Sequence, residues 1–598
     1  MPGAQQSRRD VAFCAILVLA CGLAYSNSFR GVFHMDDALR ILDDPSVRTL
    51  TGSVTGTSRP LTGLSIWMNH ALGGSLAGFH LFNLLVHVAA SVVLFAVLRL
   101  VFGRWLASWL ATRPTDATVA WLAFVAALLW TVHPLNTQSV TYIVQRAESM
   151  AGLYFLLSAW CALRRLDGGT QDRASPAEMP GRRVAWLEAG AGICAMLAVA
   201  AKPVLVTGPL LILLYDALAV SGSVRAAVRR HARLYAALST AWILAGLLLA
   251  GPHESRTTVG IGQGLIAPWR YALTQAEVVL HYLRLALLPV GQSFDYAWLP
   301  AIVSVRSVGV AVLVVGLLGL AVIAYRRGWW GGFAVLFMAV ALAPTSSVIP
   351  IADSAVEHRM YVPLMAFCAL LTGLGYRLCR RLEARWPGGR AMRLGVLCVL
   401  AVAVMLTGAT YARNALYGSR LMLAQDTLQR RPDNFRAWSV YMDALLMAGR
   451  VDDAFEASRM ALARARQRAA QGGVYAMTGA MNAAGHMPVL LNHQGRVLLA
   501  QQRPDAALQR FREALAWRPE FHIGHINAAL ALMELGHYDE ALRETDMALT
   551  IKPDAGRAYT IRAVILDRQG LPEAARAARE RAVTLGDGES VETAPPSP

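Results

Sequence analysis

Two adjacent carboxylates, Asp36 and Asp37, follow closely on the first long apolar run of the chain, Val11 to Tyr25. A carboxylate where a membrane-length helix ends is partly desolvated. That raises its pKa towards the range in which it can take a proton from a hydroxyl. Other ionisable residues stand in comparable places: Arg59, His80, His133, Arg146, Glu148, Lys202, Glu357, His358 and Arg359 all lie in or beside apolar stretches. Charge is costly there, so each is a candidate for function. Lys202 and Arg359 are long cations that could hold a phosphate at an interface. Glu148 could supply a further carboxylate, although the first turn of a helix favours an acid electrostatically in any case. His80, Asn83 and His87 share one helical face, which could bind a metal or a phosphate or simply hydrogen-bond a neighbouring helix. No spacing of His, Cys, Asp or Glu marks a metal site, so no cofactor is assigned, although the Asp pair could take a divalent cation. The seven cysteines all fall in or beside apolar runs and form neither a disulfide framework nor a CxxC site.

The elements that position these residues are membrane helices. Of 598 residues, 55% are apolar. Up to residue 411 they bunch into runs of about 17–25, enough to cross a bilayer. The net charge of +17 does not point to nucleic acid, because the basic residues sit in short loops: Arg164-Arg165, Arg182-Arg183, Arg225 to Arg233, Arg326-Arg327 and Arg377 to Arg393. That is the positive-inside pattern of a polytopic membrane protein. The run after Ser7-Arg8-Arg9-Asp10 is expected to be an uncleaved first span with its N-terminus inside. Further spans are expected at 79–101, 118–133, 148–163, 185–201, 203–219, 234–251, 304–325, 329–348, 360–379 and 393–411, about eleven in all. An odd number puts the tail outside, with outer loops at 26–78 and 251–303. The first of these, with Asp43-Asp44-Pro45 and Trp67 to His70, suits short interfacial helices. Segment 271–290 carries Glu277, His281 and Arg284 near its middle and is read as interfacial or re-entrant.

After a linker helix at 412–434 the sequence repeats. Pro519 and Pro553 are 34 residues apart, and Ala507, Ala541 and Ala575 recur at the same period, as do Ala514, Ala548 and Ala582. Small residues at two fixed positions with a closing proline are the tetratricopeptide signature. Repeats are expected at 435–468, 488–521, 522–555 and 556–587, with a spacer from Gln467 to Met487 and a disordered tail at 588–598. The fold class is therefore all-α: a multi-span membrane domain, 1–411, followed by an α-solenoid.

The segments Tyr25 to Asp37, Arg59-Pro60-Leu61-Thr62, Gly78 to His87, His133-Pro134, Gln145-Arg146-Ala147-Glu148 and Glu357 to Pro363 resemble the family of transmembrane and tetratricopeptide repeat proteins. The repeat tail matches as well. The resemblance implies a GT-C type glycosyltransferase fold in which an acidic residue of the first outer loop is catalytic; the matching positions are Asp36 and Asp37, which sequence does not separate. It implies transfer of a sugar, hexosyl or mannosyl in type, from a polyprenyl-phosphate donor to Ser/Thr of an extracytoplasmic protein. Lys202, Arg359, His80 and Arg59 are then expected around the donor phosphate, with Glu148, Arg146, His133 and Glu357 in support. The repeats would hold the acceptor protein. The Ala-, Arg-, Gly- and Leu-rich composition suits a bacterium, hence an undecaprenyl carrier, the inner membrane and a periplasmic tail. The chain departs from the family in its short repeat array and in Gln138, where an acidic residue is common. A non-catalytic membrane-anchored repeat scaffold for a periplasmic complex is the alternative reading.

Overall fold

The computed structural model of the chain describes residues 2–42, 44–55, 57–108, 114–167, 180–250, 266–386, 388–470 and 483–585. Asp43, the first part of the loop expected at 251–303, much of the spacer and the tail lie outside them. The described residues form helices and short 3-10 turns and no β-strand. They divide into two units, residues 1–294 with 300–419, and residues 295–299 with 420–598.

In the first unit, α1 (Pro2–Tyr25) is followed by the short helices α2 (Leu50–Thr55) and α3 (Pro60–Ala71), as the mixed polar and aromatic loop predicts. Then come α4 (Leu76–Ala107), α5 (Asp116–Thr131), the short α6 (Thr137–Thr141), α7 (Arg146–Asp167), α8 (Gly181–Ala201), α9 (Gly208–Ala219), α10 (Val224–Arg230) and α11 (Ala232–Ala250). The unit continues with α12 (Pro268–Leu287), α13 (Val305–Arg326), α14 (Trp330–Leu342), α15 (Pro363–Glu383) and α16 (Arg390–Leu416). Side-chain caps start several of them. The Ser75 hydroxyl accepts from Gly78 N–H at the head of α4, and Ser304 and Ser307 form a capping box at the head of α13.

Six helices (α1, α4, α8, α11, α13 and α16) are long and apolar enough to cross a membrane, or up to eight segments if two bent pairs each count as one. The expected eleven is thus not reached on length and composition. α5 and α14 are short, and α7 and α15 end in arginines, Arg164-Arg165 and Arg380-Arg381. α12, the segment expected to be interfacial or re-entrant, is not among the six. The break after α5 is a 53° bend, and it carries Pro134 to Thr141 into the interior. There Asn83 Nδ2 donates to the carbonyls of Val140 (3.0 Å) and Ile143 (3.3 Å), satisfying backbone that the break releases from helical pairing.

In the second unit, α17 (Arg420–Arg430) precedes the pairs α18 (Phe435–Met447) with α19 (Val451–Ala470), α20 (Ala483–Ala500) with α21 (Pro504–Trp517), α22 (His522–Glu534) with α23 (Tyr538–Ile551), and α24 (Gly556–Arg568) with α25 (Pro572–Thr584). The recurring alanines Ala507, Ala514, Ala541, Ala548, Ala575 and Ala582 are fully buried between paired helices, where any larger side chain would hold the two backbones apart. Residues Asp295–Leu299 belong to this unit as well. Asp295 accepts from Arg436 (2.8 Å), and the Arg431 guanidinium lies over Tyr296 and Trp298.

Candidate active site

The chain leaves α1 in a tight turn that brings Gly31 against α4. A Cβ on Gly31 would stand 2.8 Å from the His80 ring, so the position needs glycine. His80 Nε2 meets the Gly31 carbonyl at 3.2 Å and is buried. The next turn separates the two aspartates. Asp37 is fully buried. Its Oδ2 accepts from His34 N–H (3.0 Å) and its Oδ1 from Val144 N–H (2.7 Å), pinning the loop to the segment that leads into α7. Burial pushes the Asp37 carboxyl up to about 7, against the opposing pull of those two backbone N–H groups and of Arg146. Asp36 points the other way and is exposed, while its backbone N–H donates to the Tyr142 hydroxyl (2.9 Å). Met35, immediately before it, has φ of +31°, and residues Ala38–Leu42 form a turn of π-helix. A non-glycine residue at positive φ next to a π-turn stores strain, and such features gather at functional sites.

Four of the predicted ionisable residues are consumed in holding this loop and its surroundings. Arg146 is fully buried and donates to Asn69 Oδ1 (2.6 Å) and to the carbonyls of Phe79 (3.1 Å), Ile143 (3.3 Å) and Ser65 (3.4 Å), with Phe82 under its guanidinium. It ties α3, α4 and α7 together. His133 uses both nitrogens, Nδ1 accepting from Leu135 N–H and Nε2 donating to the Ala286 carbonyl. Glu357 is buried with Oε2 accepting from Gln292 (2.9 Å) and Arg413 (3.1 Å) and Oε1 from Ser293 N–H (2.8 Å). His80 is the fourth. None of the four is among the residues that line the notch or the apolar slot described below.

The remaining candidates converge. Lys202, in the turn after α8, bonds Glu148 Oε1 at 2.6 Å. Burial pushes its amine down to about 8, with the Glu148 charge opposing. Arg59, at the head of α3, is acted on by the charges of Glu148, Arg40 and Asp36. Among the described residues its guanidinium has no hydrogen-bonded or ion-paired protein partner; only its backbone is engaged, by Thr57. Arg359 is anchored by the carbonyls of Thr345 (3.3 Å), Ser354 (3.0 Å) and Asp353, and shares a notch with Glu148 walled by Val204, Leu205, Val362 and Pro363. His358 is beside them. Burial and the charges of Lys202, Arg359 and Arg59 hold it well below its ordinary range. As a neutral ring it donates from Nδ1 to Gln138 Oε1 (3.2 Å), which leaves Nε2 an acceptor. Arg40 is not among the candidates read from sequence, and His358 is among them but without a role. Arg40 stands four positions after Asp36, a spacing that places two side chains on one helical face, and His358 lies inside the dense Glu357 to Pro363 motif.

Three of the helices that contribute to the notch, α7, α14 and α15, also line an apolar slot. Its walls include Phe155, Leu156 and Leu163 of α7, Leu211, Ile212 and Tyr215 of α9, Phe333 and Phe337 of α14, and Met365 and Leu370 of α15. Glu148 and Leu163 are separated by roughly 22 Å of helix at about 1.5 Å per residue. Gly152 allows the narrow approach at the upper end, since a Cβ there would lie 2.6 Å from the Tyr361 ring.

Residues 498–578 match the tetratricopeptide repeat family model. The chain is 34% identical over 184 residues to the protein O-mannosyl-transferase TMTC1 of Mus musculus, 27% of this chain and 18% of that protein. It is 31% identical over 172 residues to the protein O-mannosyl-transferase Tmtc3 of Drosophila melanogaster, 25% of this chain and 19% of that protein. These matches span about a fifth of the length of either relative. Among solved structures, the crystal structure of MamA aligns with 28% of this chain and 88% of its own at 15% identity and a TM-score of 0.21, too low to bear on function. The chain is an all-helical membrane protein with a tetratricopeptide tail, similar to the TMTC proteins.

Proposed function

We propose that this protein is a membrane glycosyltransferase that moves a sugar from a polyprenyl-phosphate donor to a Ser or Thr hydroxyl of an extracytoplasmic protein, with inversion at the anomeric carbon. The observation that carries the reading is a charged mouth in which Arg59, Lys202 and Arg359 gather around Glu148, with the Asp36 charge acting on Arg59, and in which the helix of Glu148, α7, also lines the apolar slot. The donor's tail would lie in the slot and its phosphate under the three cations. Asp36 takes the proton of the acceptor hydroxyl as that oxygen bonds to the anomeric carbon. The bond from the anomeric carbon to the phosphate oxygen breaks, and its electron pair stays on the phosphate. Fixed cations offset the charge that develops there. The leaving group is already a phosphate, so no general acid is required. Asp37 stands behind the loop and fixes where Asp36 points.

The similarity to proteins named O-mannosyl-transferases supports a hexosyl sugar of the mannosyl type, and the repeats offer a surface for the acceptor. A bacterial inner membrane, an undecaprenyl carrier and a periplasmic site and tail complete the proposal, together with the division into a GT-C type domain, 1–411, and repeats from 435. The test is direct. Full-length protein in lipid nanodiscs is given a radiolabelled polyprenyl-phosphate hexose and a Ser/Thr-containing acceptor peptide. Transfer of label that disappears with Asp36→Asn supports the reading. Undiminished transfer in that variant removes Asp36 from it.

A further inference from the structure

Glu148 does something in this mouth that the transfer reaction does not ask for. It is an anion, nearly fully buried, placed among the cations that would hold the donor phosphate. One oxygen bonds Lys202 Nζ at 2.6 Å, and the same carboxylate lines the notch beside Arg359. For a site whose only task is to bind a phosphate, this is a competitor. It takes one of the three N–H groups of Lys202 and lowers the positive potential over Arg59.

The reaction changes the charge that this site must release. The donor is a phosphodiester with one negative charge. The product is a phosphate monoester, which carries about −1.5 to −2 at neutral pH. The proton lost by the acceptor goes to Asp36, so an anion at the rim is neutralised in the same step. Three cations facing a more negative ligand, with one fewer anion nearby, hold the product more tightly than they held the donor.

We infer that Glu148 is a positioning residue for product release: it competes with the polyprenyl phosphate for Lys202 and draws the ammonium back, so that the monoester can leave. This rests on the glycosyl-transfer reading above. The sign of its prediction separates it from a merely structural ion pair, because a variant that removes a supporting carboxylate should bind the ligand worse, not better.

The experiment measures binding of an undecaprenyl phosphate probe, and its inhibition of transfer, with full-length protein in nanodiscs. Glu148→Gln keeps the shape and removes the charge. It is expected to bind the monophosphate about tenfold more tightly, ~1.4 kcal/mol. KM for the donor and kcat should fall together, the pattern of a slowed release step. Equal or weaker binding by a folded Glu148→Gln protein overturns the inference. If that variant does not fold, Glu148→Gln combined with Lys202→Met replaces the whole pair. It should bind the monophosphate more weakly than wild type, and unchanged affinity overturns the inference. Wild-type protein that does not bind the monophosphate at all overturns the glycosyl-transfer reading as well, whereas wild-type binding without the tightening refutes the Glu148 role alone.

Discussion

Asp36 and Asp37 differ by one position and should differ completely on substitution. The perturbation is Asn at each site, measured as transfer activity and as thermal stability across pH. Asp37 is buried, and its carboxyl is raised from its ordinary value near 3.8 to about 7. A folded-state pKa above the unfolded one means that the folded protein holds a proton the unfolded chain has lost. Stability from this group is therefore present in full below about pH 4 and falls as pH rises through about 7. At ~1.4 kcal/mol per unit, the loss between pH 5 and pH 7 is about 2 kcal/mol. Asp37→Asn cannot titrate, so the difference in stability between wild type and this variant should shrink by about 2 kcal/mol over that interval. The variant also places an amide NH2 against either His34 N–H or Val144 N–H, a pH-independent cost of about 1–3 kcal/mol. Asp36→Asn leaves the burial of Asp37 and both of its N–H contacts in place and removes only the Asp36 charge, the smallest of the contributions that act on the Asp37 carboxyl. It should keep a pH profile close to that of the wild type and lose transfer by about 10²–10⁴-fold. A parallel pH profile in Asp37→Asn would refute the burial argument, and full activity in Asp36→Asn would refute the assignment of the base.

Other outcomes follow from the same contacts. Arg146→Met should destabilise the protein by about 3–5 kcal/mol, because it strands the Asn69 oxygen and the Phe79 carbonyl in the interior; thermal unfolding in nanodiscs reads this. Arg59→Ala should lower kcat about 10²-fold with little change in the same unfolding profile, since among the described residues the guanidinium holds no protein partner. In the repeat unit, His525 bonds Glu544 Oε2 at 2.6 Å, which raises its pKa against the cost of burial. The stability it lends is present below its unfolded pKa and is lost as pH rises through the folded one. Hydrogen exchange of α22 and α23 in the full chain should therefore quicken with rising pH beyond the intrinsic chemical rate, and His525→Gln should remove that excess.

The helical architecture was legible because its signals are local and periodic. Apolar runs mark membrane helices, and alanines at a period of 34 mark repeats whose helices must touch. The division of labour among the ionisable residues was not legible. An arginine or glutamate in an apolar stretch advertises a polar partner but does not say whether that partner is protein or ligand. For Arg146 it is Asn69, for Glu357 Arg413, for His133 Ala286 and for His80 Gly31, all of them 49 to 153 residues away in sequence. Only the tertiary fold brings these partners together. Likewise the turn at Met35, whose positive φ has no glycine to announce it, turns Asp36 outward and Asp37 inward. The span count rests on hydropathy and loop charge, and helices such as α5, α7, α14 and α15 mix apolar length with bends or terminal charge in ways that these two signals do not resolve.

The central claim is glycosyl transfer at the mouth formed by Asp36, Arg59, Lys202 and Arg359. Its most direct measurement is the anomeric configuration of the product. Purified full-length protein is incubated with a polyprenyl-phosphate hexose of known configuration and a Ser/Thr peptide, and the glycopeptide is examined by NMR. The account predicts a sugar on the hydroxyl oxygen with the anomeric configuration opposite to that in the donor. Retained configuration, or a donor that is not consumed, would contradict it.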